Sequence, residues 1–502
     1  MTALLSRVPL LVAAAGLLSL SMLVPALHAL ALDVHAEARA FGYWAVMGLA
    51  ITAGVGLATA RRDRERHARD QLLALVGIFA LLPLLAAAPM AEALPDTTVG
   101  NLYVEMTAAL TTTGGSLYEP ERLSQSLHLW RALVAWQGGL VVWIAAVAVL
   151  APLRLGGFEV TWSPARGQSA RLSAQMQAAE PGRRVRRYGA TLAPLYAAAT
   201  GVLWTVLVAT GTGPTEAAIR AMSTLSTSGI VGTGGAPTFL GEAAIFAFLL
   251  LAVSRQTFAA DLYRDPFARL ASDRELRLAA IIVGTLTAAL FLRHWIGAVQ
   301  VGGDVVDDGG ARAALGAGWG TAFTLLSFMT TTGFESSDWA AARAWSGLET
   351  PSVLLVGLAM VGGGVATTAG GVKLLRVYAL YAHGRREMDV LVHPHSVGAH
   401  SGAAARLPLS GIEAAWVFFM LFALSIAAVT LALGAVGLDF RSALVLAVAT
   451  LTTCGPLVAI ADEGGVGVYG AAARAILTAA MIVGRLEALA LIALFNPSLW
   501  RR

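Results

Sequence analysis

Four short stretches of this 502-residue chain combine hydroxyl side chains with glycine in a way that suits cation coordination. They are ALTTTGG (109–115), TLSTSGI (224–230), FMTTTGF (328–334) and TLTTCGP (450–456). In each, a large apolar residue (Leu110, Leu225, Met329 or Leu451) precedes three small residues, nearly all hydroxylated, and then a glycine. The candidate ligand positions are Thr112, Thr113 and Gly114; Thr227, Ser228 and Gly229; Thr331, Thr332 and Gly333; and Thr453, Cys454 and Gly455. A ring of backbone carbonyls can replace the hydration shell of a cation, as in K⁺ filters. Thr and Ser suit an extended strand whose small side chains turn away from the axis. Glycine tolerates positive φ, so neighbouring carbonyls can share one direction. None of the four motifs contains Asp or Glu. A carboxylate ring of the kind that serves divalent cations is therefore absent, and a monovalent cation fits better.

The elements around the motifs repeat as well. The glycines are spaced by 115, 104 and 122 residues, which implies four copies of one supersecondary unit. An apolar stretch precedes each motif at 99–110, 216–225, 317–329 and 440–451. These stretches are too short to cross a bilayer and are expected to be re-entrant half-helices. The unit is helix, half-helix, extended loop, helix. Non-helical backbone at membrane depth is tolerated only where protein buries it or it lines a watery cavity. Half-helices aiming their C-terminal ends inward would present partial negative charge, which favours a cation.

Composition sets the environment. The chain is 57% hydrophobic and 13% charged, with mean hydropathy +0.69, which implies a polytopic membrane protein. A net charge of +4 is too modest to point to nucleic acid, and a single cysteine, Cys454, excludes an intrachain disulfide or a Cys-based metal site. Ten candidate spans run roughly 8–31, 41–60, 71–91, 127–152, 189–210, 239–258, 276–297, 351–382, 410–436 and 470–495. The first resembles a signal peptide at Ala29-Leu30-Ala31, but its apolar run is longer than a signal core of ~7–15 residues, which favours a retained helix. Arginines crowd 61–69, 154–187, 255–277 and 376–406, while the alternate connections carry Glu119, Asp304, Glu335 and Asp462. The basic loops are therefore expected in the cytoplasm, with both termini there too.

With these motifs in place, the chain resembles the Trk/Ktr/HKT superfamily of potassium transporters over essentially its whole length. YVEMTAALTTTGG, with its Glu105, resembles the first pore loop, SFMTTTGFESSDW the third and TLTTCGP the fourth. WQGGLVV (136–142) is similar to the WxGG stretch after the first loop, and MIVGRLEALAL (481–491) to the GRLE of the last helix. The extra N-terminal pair favours the TrkH branch. The fold implied is an all-α polytopic membrane protein with four M1–pore-helix–M2 repeats around a central pore, plus two extra N-terminal transmembrane helices. The implied boundaries are 1–65 for the extra pair, then 66–155, 156–260, 261–390 with a gate loop, and 391–502 for the repeats. Gly114 stands where the HKT branch carries serine in sodium transporters, so the resemblance implies potassium. LSTSG in the second loop and Cys454 in the fourth depart from the pattern.

Span 351–382 is interrupted by VGGGVATTAGGVK (361–373). Five of the ten residues 362–371 are glycine, each costing a helix about 1 kcal/mol relative to alanine. Backbone opened here must line a cavity or pack against protein, or else serve a close helix–helix contact. The resemblance makes it an intramembrane gate formed by Gly362, Gly363, Gly364, Thr367, Thr368, Gly370, Gly371 and Lys373, with Arg485 contacting its free carbonyls. A snorkelling Arg485 is the alternative. Glu487, two residues on, lies on another face of its helix and is not the expected partner of Arg485. HPHSVGAH (393–400) offers three histidines but fits a cytoplasmic loop better than a metal site.

These residues point to channel-like potassium uptake across the bacterial cytoplasmic membrane, with K⁺ as transported ion and no organic cofactor bound by this chain. The alternative is a Na⁺-permeable or cation-coupled secondary transporter. That would want titratable carboxylates in the spans, of which the reading finds only Glu105 and Glu487. No Ser-His-Asp, metal-ligand or nucleotide signature supports an enzyme. The arginine-rich loops, including Arg183, Arg184, Arg186 and Arg187, suit anionic lipid or an acidic protein surface. The resemblance implies a homodimer and a cytoplasmic nucleotide-binding regulatory subunit of the TrkA type.

Overall fold

The computed structural model describes residues 9–60, 68–151, 181–254, 273–301, 310–347, 351–392, 409–461, 467 and 469–487. The described part is helical throughout, apart from loops and short 3₁₀ or π turns. Most of the arginine-rich segments, both termini, and the 393–400 histidines lie outside the described residues.

Among the described residues, seven helices are long and apolar enough to cross a membrane: Leu10–Ala31, His35–Thr59, Asp70–Ala93, Gln125–Leu150, Arg184–Ala209, Arg274–Arg293 and Gly411–Ala435. Three of the ten expected spans take another form. Residues 239–258 give a shorter apolar helix, Phe239–Ala252. Residues 351–382 split into Ser352–Val361 and Leu374–Val392, because the glycine run between them cannot hold a helix. The last gives Ala471–Leu486, which ends where Glu487 takes φ +57°.

The four short apolar stretches are helices that end on the motifs: Val99–Leu110, Pro214–Ser226, Gly310–Met329 and Phe440–Leu451. The third is longer than the sequence reading expects. Their starts use ordinary caps. The Thr98 hydroxyl accepts from Asn101 N at 3.2 Å, the Asp439 carboxylate accepts from Ser442 N at 3.0 Å, and Pro214 sits at the first helical position, where its missing N–H costs nothing.

Packing runs around the chain in order. Each half-helix contacts the long helix before it. Gln125–Ala145 packs on the second half-helix, Phe239–Leu249 on the third, Ser352–Val361 on the fourth, and Ala471–Leu486 on the first. Glycines allow two close approaches. A Cβ on Gly138 would fall 1.9 Å from the carbonyl oxygen of Leu110, and one on Gly484 would fall 2.4 Å from that of Leu451. The N-terminal pair is fastened to the first unit by Gln137 Nε2 donating to Ser21 Oγ (2.6 Å) and by a His28 Nδ1–Ser126 Oγ hydrogen bond (2.9 Å).

Candidate functional site

The four half-helices end in a common way. In every motif the second small residue has left-handed backbone: Thr112 φ +55°, Thr227 +54°, Thr331 +59° and Thr453 +54°. In three of them the third residue then donates back five positions, Ser228 N to Ser223 O (3.0 Å), Thr332 N to Ser327 O (2.9 Å) and Cys454 N to Ala449 O (2.8 Å). This is the Schellman closure of a helix C-terminus, which normally puts glycine at the left-handed position. Threonine there costs roughly 1–2 kcal/mol per residue. The sequence reading expects simple extended strands. The actual path instead returns to positive φ two residues later, at Gly114 (+78°), Gly229 (+68°) and Gly333 (+80°), while Gly455 opens a 3₁₀ turn.

The hydroxyls sort by position. The first and third tie the loop to its own helix and to each other. Thr111 Oγ1 donates to Thr107 O (2.7 Å) and lies 2.8 Å from Thr113 Oγ1. Ser226 repeats this with Met222 O and Ser228 Oγ, and Thr330 with Ser327 O and Thr332 Oγ1. In the fourth loop Cys454 lacks the hydroxyl, and Thr452 keeps only its bond to Val448 O. The second-position hydroxyls stand apart. Thr227 Oγ1 donates to Ser226 O, and Thr331 Oγ1 accepts from Gly370 N. Thr112 Oγ1 and Thr453 Oγ1 are buried without a partner among the described residues.

The loops meet in chain order. A Cβ on Gly114 would lie 1.6 Å from Ser228 O, one on Gly229 2.1 Å from Thr332 O, and one on Gly333 2.6 Å from Pro456 Cγ. Gly455 N donates to Thr113 O at 2.6 Å and closes the circuit. That bond uses one of the carbonyls sideways, between loops. All twelve candidate positions are within this junction, and the hydroxyl and thiol residues among them are at most 1% exposed.

Glu105 is fully buried and held by Arg131 Nε at 2.5 Å. It accepts from Ser116 Oγ (3.1 Å) and Leu117 N (2.8 Å), fixing the chain just past the first loop. Thr324, five residues before Met329 as Glu105 is five before Leu110, accepts from Ser336 N in the same way at 3.3 Å. The carboxylate of Glu242 adds to that third-unit contact, accepting from Ser336 Oγ and Ser337 N (both 2.7 Å) and from Trp319 Nε1 (2.9 Å). Glu242 corrects the expectation that only Glu105 and Glu487 supply carboxylates in the spans. Its place in a strongly apolar stretch was the signal available.

The glycine-rich segment is folded against the base of this junction. Gly364 N donates to Ala252 O (3.0 Å) and Val365 N to Glu275 Oε1 (2.9 Å). Thr368 Oγ1 donates to Leu225 O (3.0 Å), the last carbonyl turn of the second half-helix, and Gly370 N to Thr331 Oγ1 (2.8 Å). A Cβ on Gly370 would stand 2.0 Å from Thr452 O. Positive φ at Gly362 (+75°), Ala366 (+58°), Gly371 (+79°) and Lys373 (+82°) shapes the segment, with Lys373 Nζ turned back to Ala369 O. Gly363 and Thr367 lie within it, the latter donating to Gly364 O at 2.7 Å. Arg485 Nη1 donates to Thr368 O at 2.7 Å. Glu487 pairs instead with Arg376 (2.9 Å), which is fully buried over the Phe418 ring at 3.6 Å from its centroid. Sequence reasoning passed over Arg376 and Glu275, since nothing in their local spacing singles them out.

Residues 306–502 match a family model described as TrkH, cation transport protein. The chain is 28% identical to the Trk system potassium uptake protein TrkH of Escherichia coli (strain K12) over 504 residues, covering 97% of each chain. It is 26% identical to the Trk system potassium uptake protein TrkI of Halomonas elongata, covering 85% of this chain and 82% of that one. The crystal structure of the potassium transporter TrkH from Vibrio parahaemolyticus superposes with TM-score 0.77 at 25% identity, over 99% of both chains.

Proposed function

Because this chain belongs to the TrkH family of cation transport proteins, we propose that it takes up potassium through a channel-like pore at the axis where the four motif loops meet. It is a multi-pass transport protein and not an enzyme. The observation that carries the reading is the four-fold placement of a left-handed threonine, at φ between +54° and +59°, at the end of four half-helices. A sterically disfavoured conformation repeated four times is kept where it serves the site. It turns the loop backbone so that carbonyls and hydroxyls can serve a dehydrated monovalent cation.

On this reading the repeats divide at 66–155, 156–260, 261–390 and 391–502, after an extra pair at 1–65. The 362–373 segment is the gate beneath the loops, and Arg485 its holder. The protein sits in the cytoplasmic membrane as a homodimer with cytoplasmic termini. A nucleotide-binding subunit of the TrkA type, with membrane lipid around it, acts on the arginine-rich loops. A cation-coupled secondary transporter is the second reading. Three of the carboxylates among the helices, Glu105, Glu242 and Glu487, are engaged with Arg131, with Trp319, Ser336 Oγ and Ser337 N, and with Arg376. Such engagement disfavours a proton or sodium relay.

The test is cation flux through the purified chain in liposomes, comparing K⁺, Rb⁺ and Na⁺ under clamped voltage. Selective K⁺ and Rb⁺ flux that follows the electrochemical gradient is expected. Flux that needs a proton or sodium gradient at zero voltage would favour the second reading.

A further inference from the structure

The four second-position threonines are equivalent in backbone and sequence, yet their hydroxyls meet different fates. Thr112 Oγ1 and Thr453 Oγ1 are buried without a partner among the described residues, which is costly for a polar group away from water. Thr331 Oγ1 is taken by an N–H from the glycine-rich segment, that of Gly370, at 2.8 Å. Gly370 also lies against the base of the fourth loop, since a Cβ on it would stand 2.7 Å from Thr453 Oγ1. A donor group of the segment thus lies against the second-position threonines of the third and fourth loops. The hydroxyl oxygen has two lone pairs, but an amide N–H seated 2.8 Å from Thr331 Oγ1 sets its partial positive charge and its backbone where a cation drawn to the same oxygen would stand, so the two disfavour each other.

We propose that the Gly370 amide and a permeating monovalent cation compete for Thr331 Oγ1, so that closure of the segment and occupancy of the innermost hydroxyl ring exclude each other. This rests on the reading of the junction as a cation path. It goes further in making the segment a tethered competitor and not an inert plug. A plug stays in place whatever ion is present. A competitor is displaced by the ion, because a ligand that binds one of two states shifts the equilibrium towards it. By linkage, whatever opens the segment must also tighten cation binding at the ring.

The position of the segment can be read without measuring transport. Ala369 and Thr367 are 1% and 4% exposed, so a cysteine at either is shielded while the segment is seated. The native Cys454 is fully buried and gives the background. Purified Ala369→Cys, or Thr367→Cys should the first not fold, is treated with a charged methanethiosulfonate in potassium or in choline at equal ionic strength. Potassium is expected to speed labelling several-fold over choline. Adding Thr331→Val removes the oxygen that both competitors use. Labelling in choline should then rise about fivefold, as expected for one lost hydrogen bond, and its potassium dependence should disappear. Adding Thr430→Val, a buried threonine of the Gly411–Ala435 helix whose hydroxyl has no partner among the described residues, should leave labelling in choline at the rate of the reporter alone. Labelling that ignores potassium in the reporter background overturns the proposal, as does an equal effect of the two valine variants. Absence of potassium flux in liposomes would instead refute the transport reading, and labelling would still decide the competition.

Discussion

Arg485 Nη1 reaches the carbonyl oxygen of Thr368 at 2.7 Å, joining the last described helix to the glycine-rich segment across 117 residues. The arginine is 7% exposed and takes a backbone carbonyl, while the nearby Glu487 is claimed by Arg376. A buried cation that donates to one carbonyl of a glycine-rich loop, with its Nε and Nη2 without a partner among the described residues, depends on that loop staying in place. Arg485→Ala should release the segment and raise basal potassium flux in liposomes several-fold, and Arg485→Lys, with a single point donor and no fork, should fall between. A well-folded alanine variant with wild-type basal flux would remove Arg485 from the holding of the segment.

Gly333 has φ +80°, and a Cβ there would meet Pro456 at 2.6 Å. Gly115, a neighbour of the first loop, has ordinary φ, and its Cβ would sit 3.6 Å from the nearest atom. Gly333→Ser should therefore distort the junction and lower the K⁺ over Na⁺ preference while sodium flux persists, with Gly114→Ser acting likewise. Gly115→Ser should change selectivity little. Equal selectivity in Gly333→Ser and wild type would take the third loop out of the filter.

The Glu105–Arg131 pair carries a stability prediction. Removing one partner of a buried ion pair costs about 3–5 kcal/mol, because the other charge is left uncompensated. Glu105→Gln should lower the thermal midpoint of the purified protein and, by loosening Ser116 and Leu117, weaken selectivity. Glu105→Gln with Arg131→Leu should recover much of the lost stability without recovering selectivity. A thermal scan of the two variants beside wild type checks this; a single mutant as stable as wild type would argue against a charged pair.

How much of this was legible in the sequence follows from which effects are local. The half-helices at 99–110 and 440–451 were readable to the residue, since each is an apolar run between a capping Thr98 or Asp439 and a triplet of small residues, Thr111–Thr113 or Thr452–Cys454. The break at 362–373 was equally plain, because glycine density acts on the backbone directly. The left-handed threonines were not. Threonine has no intrinsic preference for that conformation, so only the Schellman closure imposed by packing reveals it. Glu242 and Arg376 were missed for the same reason. Their partners, Ser336 and Glu487, lie 94 and 111 residues away, and no periodicity reports such distant pairings. The third half-helix was drawn too short because its first turns, Gly310 to Gly316, are rich in alanine and glycine and lack an apolar stripe.

On the proposed reading, the pore is opened from outside this chain. A segment seated by Glu275, Ala252, Leu225, Thr331 and Arg485 needs an input of binding free energy to move. The described residues contain no nucleotide-binding element, being helices joined by short loops. An arginine cluster at the start of helix Pro181–Ala209 offers a surface instead: Arg186 and Arg187 are exposed there, Arg184 is partly buried, and the side chain of Arg183 lies outside the described residues. Basic side chains there suit an acidic protein face or anionic headgroups. Arg186→Glu with Arg187→Glu reverses charge at exposed positions far in sequence from the loops, so the pore itself should be spared. If a soluble nucleotide-binding subunit docks there, the double variant should keep unregulated flux in liposomes while losing co-purification with that subunit and the nucleotide response. If lipid is the only partner, the variant should instead lose its dependence on anionic lipid, with the nucleotide response of the assembled system intact.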